Sequence, residues 1–302
     1  MTSLKVDEHG RDSLAQRYVY SVLSRRAGGI SLGVNLNPDR ICNWACAYCQ
    51  VAREDEPKTR VEVDADRACD ELTDLLESVA DGSILDHPLH RGLPEDLAKV
   101  VDLSFSGDGE PTTSVHFSRI LDHSMGELRR LNLDLNLVVL SNNSLVHRPA
   151  VRSAVERLGA FGGRLHVKLD GGDEAAYRRV DRTSVPWART TSNLVRAAQL
   201  APVVVQTLIC SVDEVFMGTD EAHAYARLLG DVLDQGGEIE AVDLHTVARQ
   251  PPFDGVKALP LSYLEALAVV MQREEPRLAQ RLRCTAGHPR YLLANAPVDL
   301  PA

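Results

Sequence analysis

The sequence lacks the segments that mark a membrane or secreted protein. Its longest apolar runs, NLVVL near residue 138 and APVVV near residue 203, are far shorter than a helix that spans a bilayer. The first residues, MTSLKVDEHGRDS, contain no apolar segment of the signal-peptide type. These absences predict a cytoplasmic protein that has no membrane-spanning helix.

Basic residues are in the minority. The chain has 33 Lys and Arg against 43 Asp and Glu, which gives a formal net charge of −10 at pH 7. The local basic clusters are short and far apart: Arg25 with Arg26, Arg129 with Arg130, and Arg178 with Arg179 and Arg182. A protein that binds a polyanion over a broad surface needs a continuous basic stripe. Nucleic acid is therefore not an expected partner.

Cysteine is scarce and unevenly distributed. Of the six in the chain, Cys42, Cys46 and Cys49 fall within eight residues, and the others are isolated. A disulfide framework is not expected in a cytoplasmic chain of this size, so the close triplet indicates metal binding or redox chemistry.

What the sequence does have is a regular alternation of strand and helix patterns. Strands are predicted at about 31–36, 100–107, 134–143, 164–172, 202–210 and 239–247. Helices are predicted at about 64–82, 114–131, 149–159, 187–200, 220–235 and 262–275. Strands that alternate with helices in this way form parallel βα units with right-handed crossovers. Six such units predict an α/β fold, a partial (β/α)6 TIM-like barrel.

The segments outside this core complete the predicted organisation. Apolar spacing in DSLAQRYVYSVLSRR predicts an N-terminal helix at 12–26, and the chain after 260 is predicted to form a C-terminal helical extension to 302. The connection at 82–98 is long and rich in Pro, Gly and His, as in a cover loop. We expect one domain, 1–302, with its barrel core at about 30–250.

Polar clusters follow the predicted strands where each one ends. The first strand ends in the cysteines, the second in SGDGEPTT, the third in SNNS, the fourth in KLDGGDE and the sixth in HTVAR. Catalytic groups of parallel α/β sheets gather at this carboxyl edge. A shared site at the strand ends is therefore predicted.

The three clustered cysteines suit a 4Fe–4S cluster. Such a cluster is held by thiolates, one on each iron, so three cysteines leave one iron open to another ligand. Structural zinc is an alternative, but it needs a fourth ligand, and no other Cys or His lies between residues 10 and 68. A CxxC redox pair of Cys46 and Cys49 would leave Cys42 unexplained.

Two motifs together resemble the radical S-adenosylmethionine superfamily. CNWACAYCQ follows the first predicted strand, with Tyr48 just before the last cysteine, and SGDGEPT follows the second. The second motif resembles the superfamily's Gly-Gly-Glu-Pro motif, with Asp108 in place of one glycine. The resemblance covers roughly 31–250 and is closest to the branch that makes the wyosine base of tRNA, although no cysteines for a second cluster precede Cys42.

The resemblance implies cofactors and site residues. Cys42, Cys46 and Cys49 would hold a 4Fe–4S cluster, S-adenosylmethionine would bind its open iron, and reductive cleavage would give a 5′-deoxyadenosyl radical. The remaining implied contacts with S-adenosylmethionine are Tyr48, Gly107, Asp108, Gly109, Glu110, Ser141 and Asn143, with Asn142 beside them. Glu110 would accept hydrogen bonds from the methionine ammonium, which the two glycines would let the backbone approach. Packing for Tyr48, and a plain turn at 141–143, are the structural alternatives.

Charged residues on two later strands are further candidates. His166, Lys168 and Asp170 share one parity on the fourth strand, so they point to one side of the sheet. Lys168 and Asp170 are assigned to the cofactor, with a structural ion pair as the alternative. The candidate substrate residues are Arg178, Arg179, His245 and Arg249, with Asp243 on the same face as His245.

The other cysteines have weaker patterns. Cys69 lies beside the apolar stripe of its helix and is expected to be buried and inert. Cys210 ends the fifth strand, where packing is expected rather than a direct role. Cys284 and His288 resemble a two-ligand metal pair, which is weak evidence of a site.

The expected function is hydrogen abstraction from a small molecule or peptide by a radical S-adenosylmethionine enzyme, with flavodoxin or ferredoxin as an electron donor. A tRNA-modifying wyosine-type synthase is the first alternative. An activase of a glycyl-radical enzyme and a non-catalytic iron–sulfur protein are the others. A carrier has no need of the Glu110 motif, and the sequence does not identify the substrate.

Overall fold

The computed structural model describes residues 16–24, 27–51, 60–249 and 253–286. The chain divides into two compact units. Unit 1 comprises residues 1–42, 54–141 and 148–164, and unit 2 comprises residues 43–53, 142–147 and 165–302. The prediction of a single domain stays a prediction, and each unit is described by itself.

Unit 1 contains four strands in the order β1-β2-β3-β4. The strands are β1 (Val19–Ser24), β2 (Gly29–Val34), β3 (Val100–Phe105) and β4 (Asn136–Ser141). The first pair is antiparallel, whereas β2, β3 and β4 are parallel. The helices are α1 (Ala65–Ala80), α2 (Phe117–Arg130) and α3 (Pro149–Phe161), with 3-10 turns at Ser83–Asp86 and Pro111–Thr113.

The predicted N-terminal helix at 12–26 is wrong where the structure describes it, because this segment contains β1. Val19 pairs with Val34 and Ser24 with Gly29. An amphipathic helix would expose one face, but Tyr18, Val19 and Tyr20 are all buried in succession. The run of aromatic and β-branched residues favours a strand, and pairing with β2 decides the outcome. Residues 12–15, 25 and 26 lie outside the described residues.

The first predicted helix is confirmed together with its start. Asp64 caps α1 by accepting a hydrogen bond from the Arg67 backbone N–H at 3.1 Å. The buried Glu71 of this helix accepts from the backbone N–H groups of Arg17 and Tyr18, at 3.0 and 2.8 Å. One helix carboxylate thus satisfies backbone donors at the start of β1.

Unit 2 contains four strands in the order β5-β6-β8-β10 and a separate antiparallel pair, β7 with β9. The strands are β5 (Arg164–Lys168), β6 (Val203–Leu208), β7 (Cys210–Val212), β8 (Ile239–His245), β9 (Val256–Ala258) and β10 (Leu282–Thr285). The pairs β5–β6, β6–β8 and β8–β10 are parallel. The helices are α4 (Glu174–Asp181), α5 (Trp187–Leu200), α6 (Thr219–Asp234) and α7 (Leu261–Glu274), with a 3-10 turn at Pro276–Leu278.

The predicted C-terminal helical extension at 260–302 is only partly helical. Helix α7 is present, but residues 282–285 form β10, where Leu282 pairs with Val242 and Thr285 with His245. Residues 287–302 lie outside the described residues. This short segment becomes a strand because it takes its backbone partners from β8.

The α/β class with parallel strands is confirmed, and the predicted core elements agree with the observed ones to within a few residues. Two core elements were not predicted, the eight-residue helix α4 and the short strand β7. Among the residues that the structure describes, no helix is both long and apolar enough to cross a membrane.

Candidate functional site

The cysteine loop, defined as residues 43–51 of unit 2, contains two of the three clustered cysteines. A turn joins them, in which the Cys49 N–H donates to the Cys46 carbonyl at 3.0 Å. These two thiols and that of Cys42 in unit 1 are in no disulfide and are partly exposed. Three cysteines outside any disulfide in so short a stretch have the donor chemistry of a thiolate-bound metal cluster.

Among the described residues, no group of three or more His, Cys, Asp and Glu side chains is arranged to hold a metal ion. The thiol donors fit a cluster by type and spacing, and the cluster itself remains a proposal.

The end of helix α4 holds the middle of the cysteine loop. The Ala47 N–H donates to the Val180 carbonyl at 2.8 Å, and the Ala45 N–H donates to the Asp181 carbonyl at 3.3 Å. These carbonyls end a helix, where they have no partner within the helix itself. The loop and the helix end therefore satisfy each other, which gives the cysteines a fixed backbone.

Side chains hold the start of the loop. The Asn142 amide donates to Asn43 Oδ1 at 2.7 Å, and the Asn43 amide donates to Ser144 Oγ at 2.6 Å. The fully buried Asn193 of α5 donates to the carbonyls of Asn143 and Ser144, at 2.9 and 3.0 Å. The predicted SNNS cluster thus has a structural role at its last three residues, and Asn143 adopts a left-handed backbone (φ 59°).

Tyr48, Lys168 and the buried Asp170 form one group of contacting side chains in unit 2. The Tyr48 hydroxyl donates to Asp170 Oδ2, and Lys168 Nζ lies 3.1 Å from Asp170 Oδ1 and 5.0 Å from the centroid of the Tyr48 ring. The Leu208 N–H also donates to Asp170 Oδ1, at 2.6 Å. The ion pair considered as the alternative for Lys168 and Asp170 is present, and the tyrosine beside the last cysteine completes it.

A second carboxyl group in unit 2 lies beside the first. Asp181 is fully buried, and neither of its oxygens has a donor at hydrogen-bonding geometry among the described residues. Burial and then the nearby Asp170 raise its pKa well above the usual range. Burial, followed by Asp181 and Asp170, also raises the pKa of the Cys46 thiol.

The Glu110 carboxylate in unit 1 has a different environment. It is only 3% exposed. Its Oε1 accepts from the Thr112 N–H at 3.2 Å, from Thr112 Oγ1 at 2.5 Å and from Ser141 Oγ at 2.7 Å. Two of the predicted cofactor residues, Glu110 and Ser141, are thus in direct contact.

The glycines of the same motif make room for neighbouring protein atoms. A Cβ at Gly107 would lie 2.4 Å from Asn35 Oδ1, and a Cβ at Gly109 would lie 2.4 Å from the Ile41 carbonyl oxygen. Asn35 also makes two hydrogen bonds with Asp108. Its Nδ2 donates to Asp108 Oδ2 at 2.6 Å, and its Oδ1 accepts from the Asp108 N–H at 3.1 Å. Close packing against the segment after β2 explains why glycine is needed at both positions, and no ligand is required for this explanation.

The two predicted substrate arginines on α4 are engaged in pairs. Arg178 donates to Glu174 at 3.1 Å and to the Thr183 carbonyl. Arg179 donates to Glu221 at 3.2 Å, and Glu221 is itself mostly buried. These contacts hold α4 and the turn after it. A role with substrate stays a prediction for both arginines.

His245 at the end of β8 and Arg249 after it, two further predicted substrate residues, have different partners. His245 Nδ1 lies 3.2 Å from the Asp243 carbonyl oxygen, within its own strand. Arg249 reaches the cysteine loop, where its Nη1 donates to Gln50 Oε1 at 2.9 Å. On β5, His166 Nδ1 lies 2.9 Å from Gln206 Nε2.

The isolated cysteines lie in apolar or partly buried surroundings. Cys210 belongs to a buried cluster with Ala47 and Val180, and burial raises the pKa of its thiol. Cys69 is buried on α1. Burial raises the pKa of Cys284 on β10 to about 11, and its candidate partner His288 lies outside the described residues.

Sequence reasoning missed four residues of these networks: Asn35, Asn43, Asn193 and Asp181. Asn35 had a usable signal, since it is a polar residue directly after an alternating strand. Asp181 had none, because a charged residue at the end of a short polar helix is usually solvated.

About half of the chain is similar in sequence to two curated proteins. A UPF0026 protein of Methanocaldococcus jannaschii is 29% identical over 163 residues, which are 53% of this chain and 42% of that protein. GTPase Obg of Brachyspira hyodysenteriae is 24% identical over 162 residues, 53% of this chain and 20% of that protein. The chain thus matches less than half the length of these curated relatives. No family model matches the chain.

Solved structures show a similar fold. A structure of TYW1 with a lysine–pyruvate adduct bound has a TM-score of 0.55 at 14% identity and covers 89% of this chain and 79% of that chain. A structure of native anSMEcpe with bound AdoMet has a TM-score of 0.49 at 14% identity, over 85% of this chain and 63% of that chain. The likeness to this TYW1 structure confirms the predicted fold class, a partial (β/α)6 TIM-like barrel.

Proposed function

We propose that the chain is a radical S-adenosylmethionine enzyme that abstracts hydrogen from a small-molecule or peptide substrate. The proposal is based on Cys42, Cys46 and Cys49, three cysteines in no disulfide that are spaced with three and then two residues between them. A zinc site would need a fourth ligand, and a dithiol site needs only two. Three thiolates suit a 4Fe–4S cluster that keeps one iron open.

The cofactors would supply chemistry that side chains cannot. With the cluster and S-adenosylmethionine bound, one electron from a donor such as flavodoxin or ferredoxin would cleave the sulfonium to methionine and a 5′-deoxyadenosyl radical. The residues of the chain would bind and orient the cofactor.

Glu110 is the residue proposed to orient the methionine part of the cofactor. Its carboxylate is held by Thr112 and Ser141, so its direction is set before a ligand arrives. A buried, oriented carboxylate is a strong acceptor for an ammonium group. Asp108 accepts a hydrogen bond from Asn35 and would keep the segment that contains Glu110, residues 107–111, in place.

In unit 2, Tyr48 is proposed to lie along the adenine. Its hydroxyl is tied to Asp170, and Lys168 lies against its ring, so the ring is fixed in orientation. A fixed aromatic ring can stack on a base with little loss of entropy. Lys168 and Asp170 would then act on the cofactor through Tyr48.

The proposal is tested by anaerobic reconstitution of the full chain. We expect about four irons per chain, held by three thiolates, and slow release of 5′-deoxyadenosine from S-adenosylmethionine after dithionite reduction. Replacing Cys42, Cys46 or Cys49 by Ala should abolish both. Cys284→Ala, which removes a partly buried thiol outside the loop, is the matched control and should retain full iron.

Full iron loading in the Cys42→Ala, Cys46→Ala or Cys49→Ala variant would overturn the cluster assignment. Formation of methylthioadenosine in place of 5′-deoxyadenosine would leave the cluster intact but contradict the proposed radical, because a different carbon–sulfur bond would then break.

The wyosine-type alternative predicts a nucleic-acid partner. The fold resembles that of TYW1, but the net charge is −10, and a tRNA enzyme needs clustered Lys and Arg to neutralise phosphates. We therefore expect no specific binding of bulk tRNA in a filter-binding titration at about 0.15 M salt. Sub-micromolar, salt-sensitive binding that is lost in the Arg178→Ala/Arg179→Ala double variant would favour the tRNA-modifying role.

A further inference from the structure

Arg182 has a backbone conformation that an arginine does not favour. It follows helix α4 directly and adopts the left-handed region, with φ 45° and ψ 48°. Glycine is the usual residue at such a helix end because it has no Cβ to clash, so a bulky side chain is strained there. A strained residue of this kind often marks a functional role for its side chain.

The Arg182 side chain lies on an aromatic ring and is otherwise available. Its Cζ is 4.3 Å from the centroid of the Phe253 ring, and the residue is exposed. Within the described part of the chain, no carboxylate pairs with Arg182. Its neighbours Arg178 and Arg179 are in contrast held by Glu174 and Glu221. Among the described residues, Arg182 is thus the member of the arginine group that has no carboxylate partner.

Arg182 is also next to the cysteine loop. The preceding residue, Asp181, accepts from the Ala45 N–H, and the following residue, Thr183, donates to the Asn43 carbonyl at 3.2 Å. Phe253 packs on the same apolar cluster as Tyr48. Arg182 is therefore fixed by backbone neighbours that contact the cysteine loop, and Phe253 is fixed by the apolar cluster that contains Ala47 of the same loop.

We propose that Arg182 and Phe253 form an anion-binding element that anchors a carboxylate or phosphate group of the substrate. The guanidinium lies over the Phe253 ring, and the N–H groups of a guanidinium match a carboxylate or phosphate in two parallel hydrogen bonds. This inference rests on the proposed function and adds to it the substrate class, a molecule that carries an anionic group.

The first test maps arginine reactivity in the reconstituted full chain. Phenylglyoxal modification of Arg182 is followed by peptide mass spectrometry with inorganic phosphate or malonate as probe. At about twice its dissociation constant, the preferred probe should slow modification about threefold, because a third of the sites stay free. Arg189, an exposed arginine of α5, is the control and should be unaffected. A phosphate-only response identifies a phosphate group, and a malonate-only response identifies a carboxylate.

The second test separates binding from stability. Arg182→Gly relieves the left-handed strain, so its melting temperature without probe should equal or exceed that of the wild type. The rise in melting temperature that the preferred probe causes in the wild type should be lost in Arg182→Gly and in Arg182→Gln, but kept in Arg189→Gln. Phe253→Leu, which keeps an apolar side chain but removes the ring, should weaken the response.

Equal protection of Arg182 and Arg189, or no protection of either, would overturn the inference. So would an unchanged probe response in Arg182→Gly. None of these outcomes depends on iron content or 5′-deoxyadenosine release. Failure of the anion site is therefore distinguishable from failure of the proposed function.

Discussion

Two buried carboxyl environments distinguish the units of this chain. In unit 1, Glu110 accepts hydrogen bonds from three neutral donors of Thr112 and Ser141. In unit 2, Asp170 pairs with the Lys168 ammonium, and the adjacent Asp181 has no hydrogen-bond donor among the described residues. Neutral donors orient a charge without cancelling it, whereas an ion pair cancels it. The contacts of Asp170 are those of a structural partner, whereas the role of Glu110 toward a cationic ligand stays a proposal.

Removing the structural partner should have the largest effect. Asp170→Ala leaves Lys168, whose side chain is 18% exposed, without its counter-charge, and leaves the Leu208 N–H and the Tyr48 hydroxyl without their acceptor. We expect the free energy of unfolding in urea to fall by about 3–5 kcal/mol, as for other broken buried pairs. Asp254→Ala, at an exposed position of unit 2, should change it little. A loss below about 1 kcal/mol would show that Asp170 is not structural, since surface pairs have that magnitude.

Removing the oriented carboxylate should affect cofactor binding. Glu110→Ala deletes the acceptor proposed for the S-adenosylmethionine ammonium, so binding of the cofactor should weaken by about 1.5–3 kcal/mol, the range for a hydrogen bond to a charged group. Equilibrium dialysis of the reconstituted protein measures it. Glu62→Ala, whose side chain is 78% exposed, is the control. Unchanged affinity in Glu110→Ala would remove this residue from the site.

Two glycines of unit 1, Gly109 and Gly126, should respond to alanine in opposite directions, with smaller changes in stability than Asp170→Ala. Gly109→Ala places a Cβ 2.4 Å from a backbone oxygen, whereas a Cβ at Gly126 in the middle of α2 meets no atom within 4 Å. Gly109→Ala should therefore destabilise the chain by about 1–3 kcal/mol. Gly126→Ala should stabilise it by about 0.5–1 kcal/mol, because alanine favours the helix. Thermal unfolding of both variants checks this, and equal melting temperatures would contradict the packing account.

The smallest expected effect is a pH dependence in unit 1. His90 is buried between the Ile84 carbonyl and Ser21 Oγ, at 2.6 and 2.9 Å, and burial lowers its pKa below 6.5. The unfolded chain then binds this proton more readily, so stability is lost as the pH falls from about 6.5 toward the folded pKa. His90→Gln should reduce the slope of stability against pH over this range, and His223→Gln, for which Glu274 supplies a partner, serves as the comparison. A slope unaffected by His90→Gln would contradict the assignment.

Periodicity predicted most of the fold because buried and exposed faces alternate regularly along it. Helix α5 was predicted at its observed bounds of 187 and 200. The failures have physical causes. The β1 segment has apolar residues at helical spacing and at strand spacing, so only its pairing with β2 decides between helix and strand. In the same way, β10 is a strand because it pairs with β8.

The site was predictable only in part. The cysteine spacing and the residues after each strand are local signals, so the candidates on the loops could be named from the sequence. Partner choice is not local: Glu221, 42 residues from Arg179, engages it, and no local pattern shows this. The same holds for Arg182, whose availability depends on where its neighbours find their partners.

In the proposed cluster, three thiolates hold the irons and one iron is open to S-adenosylmethionine. Electron paramagnetic resonance spectra of the dithionite-reduced, reconstituted protein, recorded with and without S-adenosylmethionine, test this arrangement. We expect a 4Fe–4S signal whose g values shift when the cofactor is added, because the open iron gains a new ligand. A cluster signal that the cofactor leaves unchanged, or a protein that binds zinc and no iron, would contradict it.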